Sequence, residues 1–424
     1  MPPGGPTTPA GTVDLGAVDL TRHDLYRGGF PHDLFAHLRE EAPVWRHPDT
    51  PGTARVGGSF WVVSRHADVQ AISRDPQRFR SLEGPSVVDT APERAGQMLV
   101  TMDPPDHTRL RRLVSAGFTP RMTALLDARA RDWAVSIVES ALARGACDFV
   151  QEIAYPLPMH MIADIVGIPA SDRAWLFEQV NALLLSTDPE TRLPLAERAA
   201  IERELFGYAH ALGEEKRKHP ADDVWTLLTT AEIEQPDGSA TRLGELELDL
   251  FFMVLTIAGS ETTRSAIASG LIALLDHPDQ MEQMRTDPSV MSGAIDEIIR
   301  WASPVAYFRR TAAEDVLLHD AEIAAGDRVT VWYPSANRDA EVFDDPCAFD
   351  ITRSPNPHVG FGGGGLHYCL GANLAKREIR VMFEELLARV GRIEITGTPE
   401  YAVQGISNPI TLTLKHLPVA ITSR

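Results

Sequence analysis

The residues best placed to do chemistry lie in the segment Phe361-Gly362-Gly363-Gly364-Gly365-Leu366-His367-Tyr368-Cys369-Leu370-Gly371, which leads straight into an amphipathic helix. Taken alone, four glycines in a row fit a flexible linker or a phosphate-binding loop. A Walker-type loop needs Lys-Ser or Lys-Thr after its last glycine, where Leu366-His367 stands, and no strand of a βαβ unit precedes the run. A thiol at a helix N-terminus is different chemistry. The positive end of the helix dipole and its free N–H groups stabilise a thiolate, and a thiolate is a metal ligand. Glycines upstream would let the backbone lie flat beneath a large planar cofactor, where side chains would clash.

A second group sits inside a long apolar run, at Ala258-Gly259-Ser260-Glu261-Thr262-Thr263. A carboxylate and a hydroxyl there are costly unless paired. Glu261 could pair with Arg264 three residues on, and Thr262 could bond back to the carbonyl of Ala258, with Gly259 permitting a bend that opens a groove. Elsewhere His107 and Arg111 stand four apart after Met102-Asp103-Pro104-Pro105, and Glu297 and Arg300 stand three apart. Each pair in isolation reads as a solvated helix face or an ordinary ion pair.

Together these segments resemble the cytochrome P450 family, whose signature is a Phe- and Gly-rich loop with His two residues before a ligand Cys and Gly two after it. His367, Cys369 and Gly371 match. Phe361 lies eight residues before the cysteine instead of the commoner seven, a variant that looks like a subset of actinobacterial enzymes acting on branched lipids and sterols. The resemblance implies haem b with Cys369 as axial thiolate, the ligand that favours O–O cleavage. It implies that His107, Arg111 and Arg310, with His367 as a further candidate and Arg309 as a rival to Arg310, pair the haem propionates. It assigns Glu261 and Thr262 to proton delivery during oxygen cleavage, and Glu297, Arg300 and Arg353 to a buried structural triad. The matching motifs run from Asp103 to Gly371, and family-like flanks extend over nearly the whole chain.

The elements that must position these residues follow from pattern. Glu245 to Asp276 has helix-forming composition, no proline and the stop signal His277-Pro278, which predicts one helix about 48 Å long. Its centre is apolar on all sides, as in a helix through the middle of a core. Further helices are expected over Ser292 to Trp301 and Leu370 to Val390. Strands are expected in the Tyr26 to Phe79 region, at Val316 to Leu318 and at Val329 to Tyr333. The expected architecture is mainly α, the P450 helical prism with a small β-rich subdomain. Residues 1–15 read as a disordered lead-in and residues 16–424 as a single domain.

With 40 basic and 59 acidic residues the formal charge is −19, which argues against nucleic acid and anionic membrane as partners. Three scattered cysteines exclude a disulfide framework and Cys-rich zinc sites, and fit a reducing compartment. No signal peptide is evident, and the longest charge-free apolar stretches are about half the ~20 residues a membrane span needs, so a cytoplasmic protein without a membrane anchor is expected. The sequence shows no fused flavin or ferredoxin module. Electrons are therefore expected from a separate ferredoxin and ferredoxin reductase, docking on a basic patch of Arg109, Arg112, Lys376, Arg377 and Arg380. By family analogy the substrate pocket draws on Leu82 to Leu99, Val180 to Leu185, Val254, Leu255, Val305 to Phe308 and the turn near Ile406. These are mostly apolar, with Arg94 as the one cation. A hydrophobic substrate, a branched lipid, terpenoid or sterol, is expected, to be oxygenated by O2. The rivals are tailoring of a macrolide or peptide natural product, and a non-catalytic haem-binding module.

Overall fold

The computed structural model describes residues 13–92, 94–116, 120–234, 240–402 and 411–424. Most of the expected lead-in, and Ile406 with its turn, lie outside the described residues. The last lead-in residues are ordered: the Asp14 carboxylate accepts from the Gly16 N–H at 2.9 Å, and Leu15 opens a short 3-10 turn at Leu15–Ala17.

The organising element is the helix Glu245–Asp276, with the bounds the sequence pattern predicts. A Gly244–Glu247 contact of 2.9 Å starts it, and at its end the chain turns at His277 into the next helix, Pro278–Thr286. Two of its buried hydroxyls are satisfied from within. Thr256 donates to Phe252 O at 2.9 Å and Ser260 to Thr256 O at 2.7 Å, so buried hydroxyls cost little. Around this axis pack Pro156–Val166, Leu195–Lys218, Met291–Ala302 and Ala372–Arg389, and Pro120–Arg144 packs on the first and last of these. Phe252, Ile267, Leu274, Ile298 and Met382 are almost completely buried, each worth about 1.5–3 kcal/mol of transfer free energy. Gly270 lets the helices close up, since a Cβ there would lie 2.8 Å from Ile298 Cγ2 and 3.1 Å from Phe383.

The β-rich part is a five-stranded sheet in the order Val44–Arg46, Trp61–Val63, Arg328–Trp332, Tyr307–Ala312, Phe79–Arg80. Trp61–Val63 runs parallel to Arg328–Trp332, and the other pairings are antiparallel. Trp332 and Tyr307, stacked at 4.9 Å, pack one side of the sheet against Phe35, while Val63, Val329 and Val331 pack with Val69 and Ile72. Two helices differ slightly from expectation in their bounds. Met291–Ala302 is one residue longer at each end, and the last long helix, Ala372–Arg389, begins two residues after Leu370 and ends one before Val390.

Candidate active site

Cys369 is solvent-accessible, yet burial is the largest influence on its thiol, so it lies in a recess. Burial pushes the thiol up, while the Gly371 N–H and the Arg111 charge pull the other way. The helix end alone therefore does not make a thiolate here. Coordination to a metal would, since it deprotonates a thiol outright. The Cys369 N–H donates to Phe361 O at 3.0 Å and the Gly362 N–H to Val359 O at 2.9 Å, closing the loop. The glycine run also has a packing role that the sequence does not show. Gly365, at φ +74°, brings its Cα so close to Ser73 that a Cβ would sit 2.3 Å from the Ser73 carbonyl oxygen, so the run packs the loop against the helix His66–Arg74. Phe361 is half-buried, with the Lys376 ammonium 5.7 Å from its ring.

Four of the expected cofactor contacts converge beside the loop. His107 and His367 have ring centroids 4.4 Å apart, and Arg111 and Arg310 act on both rings. Burial and these charges lower His107 to about 4 and His367 to about 2. Both ring nitrogens of His107 are buried without a hydrogen-bond partner, and His367 Nε2 lies 3.0 Å from Ser81 Oγ. Arg310 donates to the carbonyl of Arg309 at 2.8 Å. Its rival is engaged elsewhere: Arg309 binds Asp89 at 2.5 Å and Thr311 at 3.0 Å. Adjacent strand positions point to opposite faces, which is why one arginine reaches the histidines and the other does not. The nearest acid, Asp103, is occupied by the N–H groups of Ser81 and Leu82. Two arginines and two neutralised histidines gathered in one buried place fit an anionic group. Paired carboxylates such as haem propionates meet that need.

The central helix leaves one stripe uncovered. Among buried neighbours, Val254, Leu255 and Thr262 are half-buried and Ala258 is exposed. Steps of about four keep them on one face. Thr262 donates to Ala258 O at 3.0 Å, the back-bond expected from the sequence. The helix nonetheless runs unbroken, and Gly259 serves close packing, with a Cβ there 3.0 Å from Ile162. Glu261 faces away from the stripe, almost completely buried. Its Oε2 takes Arg264 at 2.5 Å, the pair anticipated as the alternative to proton delivery, and its Oε1 takes the hydroxyl of Thr413. Arg264 also binds Asn181 at 3.0 Å. Sequence reasoning missed Asn181 and Thr413, and with 83 and 152 residues of separation no local pattern could have shown them.

Glu297 holds Arg300 through two bonds of 2.7 Å and Arg353 at 3.3 Å; Glu297 and Arg300 are fully buried and Arg353 partly so. Arg300 donates onward to the carbonyls of Asn337, Pro346 and Ala348, and Asn337 Oδ1 accepts from the Val359 N–H at 2.7 Å. The triad thereby fixes the chain that enters the cysteine loop. Arg94 is tied to Glu202 at 3.9 Å and lies 5.8 Å from the Phe206 ring. The expected basic patch is mostly neutralised: Arg109 pairs with Glu247, Lys376 with Asp296, Arg377 with Asp127 and Arg380 with Glu384, leaving Arg112 exposed.

Comparison with known proteins agrees with this geometry. The cytochrome P450 family model matches residues 25–391, and the chain belongs to that family. It is 44% identical over 409 residues to a putative cytochrome P450 126 of Mycobacterium tuberculosis, covering 93% of this chain and 95% of that protein. It is 41% identical over 404 residues to the methyl-branched lipid omega-hydroxylase of the same species, covering 93% and 92%. A solved structure of Mycobacterium marinum cytochrome P450 CYP268A2 in complex with pseudoionone superposes with a TM-score of 0.85 at 36% identity, covering 95% of this chain and 98% of that one. The protein is thus a haem b monooxygenase. No helix among the described residues is long and apolar enough to cross a membrane.

Proposed function

We propose that this P450 hydroxylates a hydrophobic substrate, a branched lipid, terpenoid or sterol, taking electrons from a separate ferredoxin and its reductase. The observation that carries the substrate class is the uncovered stripe of the central helix: Val254, Leu255 and Ala258 form an apolar wall with a single hydroxyl, Thr262, at one end. Such a wall selects by shape and offers nothing to bind a charged or many-hydroxylated molecule. The similarity to a methyl-branched lipid omega-hydroxylase and to a pseudoionone-bound P450 supports the same class.

In this reading Cys369 would supply the thiolate that holds the iron, in a loop shaped by Phe361 and Gly371, and His107, Arg111, Arg310 and His367 would hold the propionates. Haem b supplies the reductive activation of dioxygen that puts one oxygen atom into a C–H bond and the other into water. The chain's own part is to exclude bulk water with the apolar wall, to present the Thr262 hydroxyl to the groove, and to carry protons on Glu261. Glu261 must turn or exchange its proton from within its present pairing. Arg112 is the exposed cation left for an acidic redox partner.

The test is an optical titration of the oxidised holoenzyme with phytanic acid, cholestenone, geraniol and erythromycin. A Soret shift towards high spin with phytanic acid, cholestenone or geraniol is expected. A shift with erythromycin alone would overturn the substrate class in favour of natural-product tailoring.

A further inference from the structure

Glu261 is 2% exposed and Thr413 fully buried, so any proton that reaches this carboxylate passes through a protein neighbour. Its two oxygens face chemically different partners. Arg264, on Oε2, is a guanidinium that keeps its protons at any pH an enzyme meets, so it anchors the carboxylate but supplies nothing. Thr413, on Oε1, has one proton to give and lone pairs to accept another. A carboxylate only accepts, so the Thr413 hydroxyl donates to Glu261. Its second contact, 3.0 Å to Thr411 Oγ1, then runs inward as well, with Thr411 donating to Thr413. Thr411 is half-buried. The hydroxyls thus form a chain whose donors all point towards the carboxylate.

The segment that carries this chain is held in place by backbone. Leu412 N–H donates to Pro304 O at 2.8 Å, Thr411 bridges Val305, and Ala402 N–H donates to Thr413 O at 2.8 Å. Two residues on, Lys415 pairs with Asp188 and Glu190. Among the described residues, the ionisable groups that act on Glu261 are Arg264 and Tyr155. Tyr155 lies 5.2 Å from the Arg264 guanidinium and gives its hydroxyl proton to Phe177 O, away from the carboxylate.

We propose that Thr413, backed by Thr411, is the positioning residue that replenishes the proton of Glu261; this rests on the reading of Glu261 as a proton carrier. As Glu261 Oε1 takes the Thr413 proton, Thr413 Oγ takes that of Thr411, and Thr411 Oγ takes one from a solvent hydronium ion, which is left as water. One O–H bond breaks and one forms at each hydroxyl, and neither is left charged.

The test compares haem-loaded parent, Thr413→Val, Thr413→Ser and Glu261→Gln, with phytanic acid as probe and a surrogate ferredoxin and reductase. All four are expected to give Soret titration midpoints alike within about twofold. Thr413→Val loses at least about fivefold in product per electron, with the balance appearing as peroxide, and shows a larger solvent deuterium isotope effect; Thr413→Ser restores the parent values. A readout independent of turnover is the infrared carboxylate stretch of Glu261, isolated by subtracting the Glu261→Gln spectrum. It shifts in Thr413→Val and not in Thr413→Ser. Parental coupling and isotope effect in Thr413→Val, with Glu261→Gln impaired, overturns the role of Thr413 alone. Parental coupling in Glu261→Gln overturns the reading of Glu261 beneath it. An unmoved carboxylate band in Thr413→Val removes the contact itself.

Discussion

Replacing Glu297 by Gln keeps the shape of the triad and removes its only negative charge. The carboxylate accepts from Arg300 twice, from the Asp350 N–H at 2.8 Å and from Asn356 at 3.1 Å, with Arg353 at 3.3 Å. The amide must turn an NH2 towards a group that already donates, and two buried guanidinium groups lose their counter-ion. Breaking a buried pair in this way costs about 3–5 kcal/mol. With an unfolding entropy of roughly 2 cal/mol/K per residue over this chain, the expected fall in Tm is about 3–6 °C. The effect should also reach the cofactor. Arg300 holds the carbonyl of Asn337, whose side chain fixes Val359 just ahead of the cysteine loop, so the Glu297→Gln enzyme should lose haem faster. The assay is a thermal melt of the holoenzyme together with the haem-to-protein ratio after gel filtration. A Tm within about 1 °C of the parent and full haem retention would refute the claim that this charge holds the loop.

Three further outcomes follow from the same geometry. Gly365→Ala adds a Cβ 2.3 Å from the Ser73 backbone carbonyl at a positive φ, so the loop must move; a strain of about 1–3 kcal/mol and lowered haem occupancy are expected, and a normal reduced carbon-monoxide spectrum at full occupancy would count against it. Thr262→Ala should leave substrate titrations unchanged and divert electrons from product to peroxide, and equal coupling would remove Thr262 from proton delivery. Burial lowers His107 and His160 to about 4, below the value near 6.5 that each has when unfolded. The unfolded chain therefore binds more protons in that window, and haem-free protein should lose stability as the pH falls from about 6.5 towards 4. Haem propionates beside His107 would favour its charged form, so the holoenzyme should lose less; equal urea midpoints at pH 7.5 and about 5.5 in the haem-free protein would contradict this.

What was legible in the sequence was whatever rests on short separations or on a forced stop. The central helix was readable to its end residues because composition, an uninterrupted apolar run and His277-Pro278 all agree. The Glu297–Arg300 and Glu261–Arg264 pairs were readable because positions three apart on a helix meet. The choice between Arg309 and Arg310 was not, because it depends on which face of Tyr307–Ala312 looks towards Asp89. The packing of Gly365 was also hidden, since its obstacle is the Ser73 backbone, nearly 300 residues away in the chain.

The central helix shows most sharply why composition could not go further. Its sequence is apolar all round, which predicts only that it is buried. A monooxygenase needs one side of it bare, and bareness is a property of the neighbours. Ile162 closes on Gly259, and Ile298 and Phe383 close on Gly270, while Val254, Leu255, Ala258 and Thr262 are left less covered. The same packing turns Glu261 inward against Arg264 and Thr413, so that the hydroxyl and the carboxylate of adjacent residues end on different sides of the helix. Acid and alcohol can then work on one reaction only if a proton crosses between those sides, and that is why the partners of Glu261 matter as much as Glu261 itself.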